Sequence, residues 1–286
     1  MATLYEETRA AMRDSGFRAR KRLGQNFLVH ERVIDSILKL LALHPDDDVL
    51  EIGPGLGFLT RRLVEGAQNV WAVEIDDSLA ERLRQGPLSA NPAFHLIHDD
   101  ILTVLPDTFL PPKKIKLAAN LPYSISSPVL FRLIDWRAHF SSMVLMLQKE
   151  VAERIASAPG TKAYGSLSVW LQAHGRITDK VMVSAEAFYP KPKVRSTILR
   201  IEFFERPLIA EDDRSALRAL VRSAFGQRRK TLHNALSSWL KIEKEVIDKF
   251  LVANGIDPQR RGETLGVEEF VTLAGALKQL SPAALA

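Results

Sequence analysis

The sequence contains no cysteine in 286 residues. This absence excludes disulfide bonds and thiolate chemistry, and it is typical of a protein kept in a reducing compartment. Long hydrophobic runs are also missing, since no apolar stretch approaches the roughly 18 residues that span a bilayer. The segment 1–16 carries five charged residues and lacks the apolar core of a secretory signal. We therefore expect a cytoplasmic protein that is not attached to a membrane.

Charge of one sign does not dominate the chain: 39 basic and 34 acidic residues give a net charge of +5. This mild excess favours an anionic partner without identifying one. The basic residues fall into three clusters, which makes a nucleic acid a candidate partner, although most basic runs are simply solvated surface. The clusters are Arg18, Arg20, Lys21 and Arg22; Lys191, Lys193 and Arg195; and Arg214, Arg218, Arg222, Arg228, Arg229 and Lys230.

Short apolar stretches alternate with amphipathic helical stretches between residue 30 and about residue 150. Strands separated by helices pair in parallel through right-handed crossovers. The fold class is therefore predicted to be α/β, with a doubly wound, mostly parallel sheet. The predicted strands of this region are 48–52, 69–75, 94–97, 115–119 and 143–147.

The pattern changes after residue 165, where two β-rich runs, 180–188 and 194–204, could add an antiparallel edge to the sheet. From Pro207 onward only helical periodicity is present. We therefore predict an α/β domain over 1–206 and a small all-α C-terminal domain over 207–286.

A glycine-rich turn follows the first predicted strand. Gly53, Gly55 and Gly57 let the backbone turn tightly and let a ligand approach without meeting a Cβ atom. A dinucleotide-binding fingerprint would place its third glycine at Phe58, so a nicotinamide cofactor is disfavoured. Glu74 ends the next strand, where a carboxylate can accept hydrogen bonds from both ribose hydroxyls of a nucleoside. The alternative is a tight turn beside a surface glutamate.

Asp99 and Asp100 follow the third strand, where a carboxylate could bind the adenine amino group of a nucleoside ligand. His95 and His98 stand nearby, but residues three apart on a strand point to opposite faces. We interpret them as half-buried strand histidines rather than metal ligands, and we expect no metal ion.

The tetrapeptide Asn120-Leu121-Pro122-Tyr123 ends the fourth predicted strand. An exocyclic adenine amine is a poor nucleophile because its lone pair is delocalised into the ring. The Asn120 side-chain oxygen and the Leu121 carbonyl could accept its two hydrogens and leave the lone pair directed at a methyl donor. Pro122 would stiffen the loop, and Tyr123 would stack on a base that has left its helix. In isolation the tetrapeptide would be an ordinary turn, but ligands of open α/β sheets bind at this edge.

These motifs resemble one family, the small-subunit ribosomal RNA adenine dimethyltransferases, over nearly the whole chain. The resemblance implies a Rossmann-like methyltransferase sheet and S-adenosylmethionine as methyl donor. It also implies the substrate: two adjacent adenines near the 3′ end of small-subunit rRNA, which become N6,N6-dimethyladenosines. The partner would be this rRNA within the assembling small ribosomal subunit, and we expect a monomer. The supporting stretches are 21–28, 51–57, 120–123, 147–154, 188–194 and 225–232.

The resemblance further implies roles for individual residues. The N-terminal segment 1–29 would contribute to the cofactor site through Asn26 and Leu28. Tyr123 and Phe188 would stack on opposite faces of the target base, although Phe188 could equally be a core residue. The other cofactor contacts would be Gly53 and Gly55 beside the methionine part, Glu74 at the ribose, Asp100 at the adenine, and Asn120 at the junction of the two ligands.

The third basic cluster is the predicted RNA-docking surface of the C-terminal domain. Arg214, Arg218 and Arg222 are spaced four apart and would share one helix face. Gly226 would end that helix. A solvated amphipathic helix is the alternative interpretation. The residues assigned to RNA binding are Arg218, Arg222, Arg228, Arg229 and Lys230, with the last three at the start of the next helix.

Three other functions are weighed against this one. A large-subunit rRNA methyltransferase of the macrolide-resistance type shares the fold, but it usually has isoleucine at Leu121 and lacks the stretch 227–232. A non-catalytic nucleic-acid-binding factor would not need the cofactor residues. A nicotinamide oxidoreductase is disfavoured by Phe58. One departure from the resembled family is Arg195, which stands where that family usually has aspartate.

Overall fold

The computed structural model describes residues 3–14, 24–122 and 125–280. The chain forms two compact units, one made of Met1–Ala152 with Ile177–Phe203 and the other of Glu153–Arg176 with Phe204–Ala286. The predicted ranges were 1–206 and 207–286, so the main difference is that 153–176 groups with the C-terminal helices. Helical periodicity at 153–176 cannot show this, because a helix that covers a sheet and one that joins a bundle have the same pattern.

A mostly parallel sheet forms the centre of the first unit, as predicted. Within the described ranges, seven strands form this sheet in the order β4-β3-β2-β5-β6-β9-β7. The pairs β4–β3, β3–β2, β2–β5 and β5–β6 are parallel, and β9 runs antiparallel to β6. The strands are β2 Asp48–Ile52, β3 Asn69–Glu74, β4 Phe94–His98, β5 Ile115–Asn120, β6 Phe140–Gln148, β7 Gly175–Val183 and β9 Ser196–Phe203.

The central strands are buried along their length, which explains their continuous apolar sequences. Every residue of β2 is buried, including Asp48 and Glu51. The helix α2 covers the sheet with an apolar stripe of Ile34, Ile37 and Leu41. The helices of this unit are α1 Leu4–Asp14, α2 Glu31–Leu41, α3 Phe58–Val64, α4 Asp77–Gln85 and α5 Ser126–Asp135, and α6 Lys149–Ile155 crosses into the second unit.

A short two-stranded ribbon ties the N-terminal segment to the first unit. The strand β1 (Phe27–Leu28) pairs antiparallel with β8 (Phe188–Tyr189), with Leu28 opposite Phe188. The Val29 amide continues the pairing by donating to the Ala187 carbonyl at 2.8 Å. Strands of two residues have no periodicity to detect, so the sequence did not predict this ribbon. The helix α1 was not predicted either.

The second unit is helical in its described part. Its further helices are α7 Ser166–Gln172, α8 Arg214–Gly226, α9 Leu232–Leu240, α10 Lys244–Ala253 and α11 Val267–Ala276. As predicted, α8 buries Leu217, Leu220 and Val221 and ends at Gly226. One prediction is wrong: Arg228–Lys230 do not begin the next helix but lie in the connection before α9. Among the described residues, no helix combines the length and apolar character needed to cross a membrane.

Candidate active site

A cavity opens at the carboxyl edge of the sheet in the first unit, and the empty space at its lining residues, open solvent included, amounts to about 1060 Å³. This is the edge at which α/β sheets bind their ligands. The cavity is lined by all the residues predicted to contact the cofactor, namely Asn26, Leu28, Gly53, Gly55, Glu74, Asp100 and Asn120. Two further residues of the tetrapeptide, Leu121 and Pro122, also line it.

The glycine turn forms one wall of the cavity and needs its glycines for two reasons. The φ angles of Gly53, Gly55 and Gly57 are +69°, +59° and +80°, a region that disfavours other residues. A Cβ atom on Gly55 would also lie 3.3 Å from the Phe27 ring, whereas one on Gly53 would meet no atom within 4 Å. The turn therefore presents bare backbone to the space beside Gly53, where a ligand can approach closely.

Glu74 stands behind the turn and holds it in place. Its Oε2 accepts a hydrogen bond from the Gly55 amide at 3.1 Å, and its Oε1 accepts one from the Asp76 amide at 2.9 Å. Burial raises the pKa of Glu74, and the two backbone hydrogen bonds oppose that rise. Each carboxylate oxygen has a second acceptor site, so Glu74 can hold the turn and still accept from a ligand hydroxyl.

Asp100 is the second residue after β4, at the same edge. Its Oδ1 accepts from the Leu102 amide at 2.9 Å, and its own amide donates to Asp99 Oδ1 at 2.6 Å. Asp100 is half-buried and Asp99 is exposed, although both line the cavity. Each carboxylate therefore accepts one backbone hydrogen bond, and the two differ in that Asp100 is the less exposed.

Asn120 is positioned from two directions. It ends β5 opposite Met146 of β6, and the following amide, that of Leu121, donates to the Met146 carbonyl at 3.1 Å. The Asn120 Nδ2 donates to the backbone carbonyl of Asn26 at 3.2 Å. Because a carbonyl oxygen can only accept, the amide nitrogen must face it, and Oδ1 is turned the other way.

The loop after Asn120 is anchored by the start of α5. The Pro122 carbonyl accepts from Ser126 Oγ at 2.9 Å and from the Ile125 amide at 3.3 Å. Leu121 is buried, with 1 % of its surface exposed. Tyr123 lies outside the described residues, so its predicted stacking role stays a prediction.

Phe188 is separate from the cavity lining. It is only 3 % exposed and packs in the core cluster that includes Phe27 and Leu28. This burial indicates a packing role in the β1–β8 ribbon, and a stacking role would require the side chain to move. The assignment of Phe188 to the target base also stays a prediction.

Glu51 is a site residue to which the sequence analysis gave no role. It lines the cavity, is 2 % exposed, and its Oε2 has no hydrogen-bond partner among the described residues. Burial raises the pKa of Glu51 to about 8, a rise to which the nearby charge of Glu74 adds and which Thr60 opposes. The signal was present in the sequence: Glu51 stands between the apolar residues Leu50 and Ile52 of a buried strand, where a carboxyl group without a partner is costly.

The basic residues predicted to bind RNA have different surroundings in the second unit. Arg228 donates to the Tyr164 and Lys162 carbonyls and lies 3.5 Å from a carboxylate oxygen of Glu263, so it stabilises the unit from within. The Arg218 guanidinium lies 5.8 Å from the centre of the Trp170 ring. Arg222, Arg229 and Lys230 are exposed.

The two histidines of β4 make separate contacts rather than a common site. His95 Nε2 lies 3.1 Å from Asn69 Oδ1, and its ring stacks on Trp71. His98 Nε2 lies 3.1 Å from Asp77 Oδ1. In the described part of the chain, no group of three or more acidic or histidine side chains is placed to hold a metal ion.

Comparison with known proteins assigns the chain to a family. Residues 16–279 match the model of the family described as ribosomal RNA adenine dimethylase. The chain belongs to this family. The relatives it resembles include the ribosomal RNA small subunit methyltransferase A of Geobacter metallireducens, 45 % identical over 94 % of this chain and 99 % of the relative. The protein of the same name from Clostridium acetobutylicum is 41 % identical over 93 % of this chain and 96 % of the relative.

Two solved structures have folds similar to that of this chain. A dimethyladenosine transferase from Plasmodium falciparum has a TM-score of 0.74 and 27 % identity, covering 87 % of this chain and 96 % of its own. The 23S rRNA methyltransferase ErmE has a TM-score of 0.63 and 28 % identity, covering 89 % and 100 %. Family membership confirms the predicted enzyme class, an S-adenosylmethionine-dependent rRNA methyltransferase, over the nicotinamide and non-catalytic alternatives.

Proposed function

We propose that this enzyme methylates the N6 atoms of two adjacent adenines near the 3′ end of small-subunit rRNA while the subunit is being assembled. One observation supports this proposal above the others: the Asn26 carbonyl orients the side-chain amide of Asn120. Asn120 also lines a cavity that suits a nucleoside. Curated relatives at 38–45 % identity are named small subunit methyltransferases, which favours the small-subunit substrate over the large one. We propose that it works as a monomer in the cytoplasm.

The donor half of the cavity suits S-adenosylmethionine, which would supply an electrophilic methyl group on its sulfonium. Glu74 would accept from the ribose hydroxyls through its second acceptor sites, and Asp100 would accept from the adenine amine. Bare backbone beside Gly53 would admit the methionine part, with Asn26, Leu28 and Gly55 completing the wall. The unpartnered oxygen of Glu51 lies at this end and can pair with an ammonium group once Glu51 gives up its proton.

The acceptor half would be built around Asn120. Its Oδ1 and the Leu121 carbonyl would accept the two hydrogens of the target amine, so that the nitrogen lone pair points at the methyl group. As the N–C bond forms, the C–S bond breaks with its electron pair left on sulfur, and the nitrogen then loses one proton to solvent. Pro122 would keep the loop in place and Tyr123 would stack on the extruded base. Catalysis would therefore consist of positioning and desolvation.

The second unit would dock the rRNA through its exposed cations, Arg222, Arg229 and Lys230, with Arg218 at the edge of the patch. Arg228, although predicted to bind RNA, is engaged by backbone carbonyls of its own unit. Its contribution would be to hold the connection 227–231 in the shape that presents Arg229 and Lys230.

Methylation mapping on purified ribosomal subunits tests the proposed substrate. Undermethylated small subunits, normal large subunits and labelled S-adenosylmethionine would be incubated with the enzyme, and the modified nucleotides located by primer extension and mass spectrometry. We expect dimethylation of two neighbouring adenines in the small-subunit rRNA and none in the large subunit. Label in the large subunit alone would replace this proposal with the macrolide-resistance type of activity.

A further inference from the structure

The connection between β8 and β9, residues 190–195, forms an exposed basic segment at the catalytic edge of the first unit. It contains Lys191, Lys193 and Arg195, and all three side chains are exposed. Pro192 between them is buried, so it anchors the segment while the cations project outward. No role in the proposed chemistry uses these cations.

Both ends of this segment are tied to elements that position Asn120. The preceding strand β8 pairs with β1, and the segment before β1 provides the Asn26 carbonyl that orients the Asn120 amide. At the other end, the Arg195 carbonyl accepts from the Lys149 amide at 3.0 Å, directly beyond the end of β6. The segment is therefore held in a fixed relation to the target site.

Sheet register places Arg195 close to the target site. Asn120 stands opposite Met146, which stands opposite Ile198 of β9, and Arg195 lies three residues before Ile198 at the carboxyl edge. With strands ~4.8 Å apart and a rise of ~3.3 Å per residue, the Cα atoms of Asn120 and Arg195 are roughly 14 Å apart. A strand of RNA can cover that distance with a few nucleotides on either side of the extruded base.

The charges on the segment are only partly neutralised. Lys191 Nζ lies 2.6 Å from Glu186 Oε1, so this cation already has a partner. Among the described residues, neither Lys193 nor Arg195 has a carboxylate within ion-pair distance, although Arg195 is close enough to help lower the pKa of Glu186. Their neighbour Val194 is 44 % exposed, an apolar side chain between two cations. Alternating cations and an apolar surface match a nucleic-acid strand, which offers phosphates and sugar or base faces in turn.

We propose that Lys193 and Arg195 bind backbone phosphates of the rRNA strand beside the target adenine, with Val194 against the sugar or base between them. This inference rests on the proposed function, since it takes rRNA as the substrate. In this proposal the segment 190–195 of the first unit positions the rRNA strand at the target site, in addition to the docking of rRNA by the second unit.

The test compares binding of purified undermethylated small subunits by the wild type and the double variant Lys193→Gln/Arg195→Gln over a range of salt concentrations. Loss of two phosphate contacts should reduce the salt slope by about two and weaken affinity by roughly tenfold per contact near 0.1 M salt. The KM for subunits should rise while kcat at saturation and the affinity for S-adenosylmethionine stay unchanged. Arg195→Lys keeps the charge and should retain most of the binding.

Matched controls separate this effect from general loss of positive charge or of folding. Lys114→Gln removes an exposed lysine just before β5, at the opposite edge of the sheet, and should leave binding unchanged. Lys191→Gln should have a small effect because Glu186 already neutralises that lysine. Unaltered cofactor affinity in the double variant shows that it is folded.

The outcomes distinguish the two proposals. If the wild type neither binds nor methylates small subunits, the proposed function fails. If the wild type does both and the folded double variant keeps its affinity and salt slope, the phosphate-binding role is wrong. A loss of affinity with an unchanged salt slope would point to contact with a ribosomal protein, and it would equally overturn the role in phosphate binding.

Discussion

The side-chain amide of Asn120 donates to the backbone carbonyl of Asn26, 3.2 Å away, although the two residues are 94 positions apart in the sequence. Asn26 is itself held in place, since its Nδ2 donates to the Gly24 carbonyl at 3.0 Å. The N-terminal segment thus lines the cavity, and it also determines that Asn120 Oδ1 is turned away from Asn26, as the proposed contact with the target base requires. This contact gives the segment 24–28 a physical role beyond binding the methyl donor.

A first prediction concerns Tyr123, whose proposed role is to stack on the target base. Base–aromatic stacking is worth roughly 1–3 kcal/mol by alanine substitution. Tyr123→Ala should therefore lower kcat/KM for subunits strongly, while Tyr123→Phe, which keeps the ring, should lower it only mildly. Steady-state methylation assays with all three enzymes would check this. Equal damage from both substitutions would mean that the hydroxyl matters more than the ring.

A second prediction concerns the pH dependence of stability. Burial raises the pKa of Glu51 from its ordinary value of 4.5 to about 8 in the folded protein. Between these values the folded state keeps a proton that the unfolded chain has released, so the free energy of unfolding should fall as the pH rises from about 5 to about 8. Glu51→Gln cannot ionise and should remove this part of the decline.

Denaturant unfolding of the wild type and Glu51→Gln over this pH range would check the prediction. The two free-energy profiles should diverge as the pH rises, with the variant the more stable at the alkaline end. Glu65→Gln is a suitable control, because Glu65 is an exposed acid of the same unit, with 70 % of its side chain accessible. Parallel profiles for wild type and Glu51→Gln would show that the proton is not held by Glu51.

A third prediction concerns the exposed arginines of the second unit. Arg222→Glu/Arg229→Glu should weaken binding to small subunits and lower the salt slope by roughly one for each lost phosphate contact. Cofactor affinity should not change, since the residues that line the cavity all belong to the first unit. Arg218 is left intact because its packing over Trp170 would confound the result. The double variant Lys244→Glu/Lys249→Glu, at two exposed lysines of α10, serves as a control of equal charge change.

Arg228 should behave differently from its neighbours, which gives a fourth prediction. Its guanidinium binds the Tyr164 carbonyl and lies near Glu263, so Arg228→Ala leaves those groups without their partner. We expect a lower thermal midpoint for the second unit, with a cost on the order of 1–3 kcal/mol for the lost hydrogen bonds. If the variant unfolds like the wild type but binds subunits weakly, Arg228 binds RNA rather than stabilising the second unit.

Much of the fold and of the site could be predicted from the sequence because both depend on local patterns. Continuous apolar runs identified the central strands, and the order of strand, glycine turn and acid located the cavity. The tetrapeptide was predicted to lie at the carboxyl edge, and Asn120 does lie there. The fold class and the enzyme family are confirmed.

The features that were missed depend on contacts between distant residues. The β1–β8 ribbon pairs Leu28 with Phe188, and two-residue strands give no periodic signal. Arg228 is exposed, but its partners lie about 35 and 65 positions away, so the sequence could not show that the side chain also holds its own unit together. Glu51 was overlooked because its strand was interpreted by its apolar neighbours rather than by the cost of burying its carboxyl group.

The most direct test of the central claim is single-turnover methyl transfer by Asn120→Ala and Asn120→Asp on undermethylated small subunits. If Asn120 orients the target amine, alanine should slow transfer by roughly a hundredfold or more and leave the affinity for S-adenosylmethionine nearly unchanged. Aspartate should be similarly slow, because it places an oxygen instead of a donor against the Asn26 carbonyl. Near-normal transfer by the alanine variant would contradict the account.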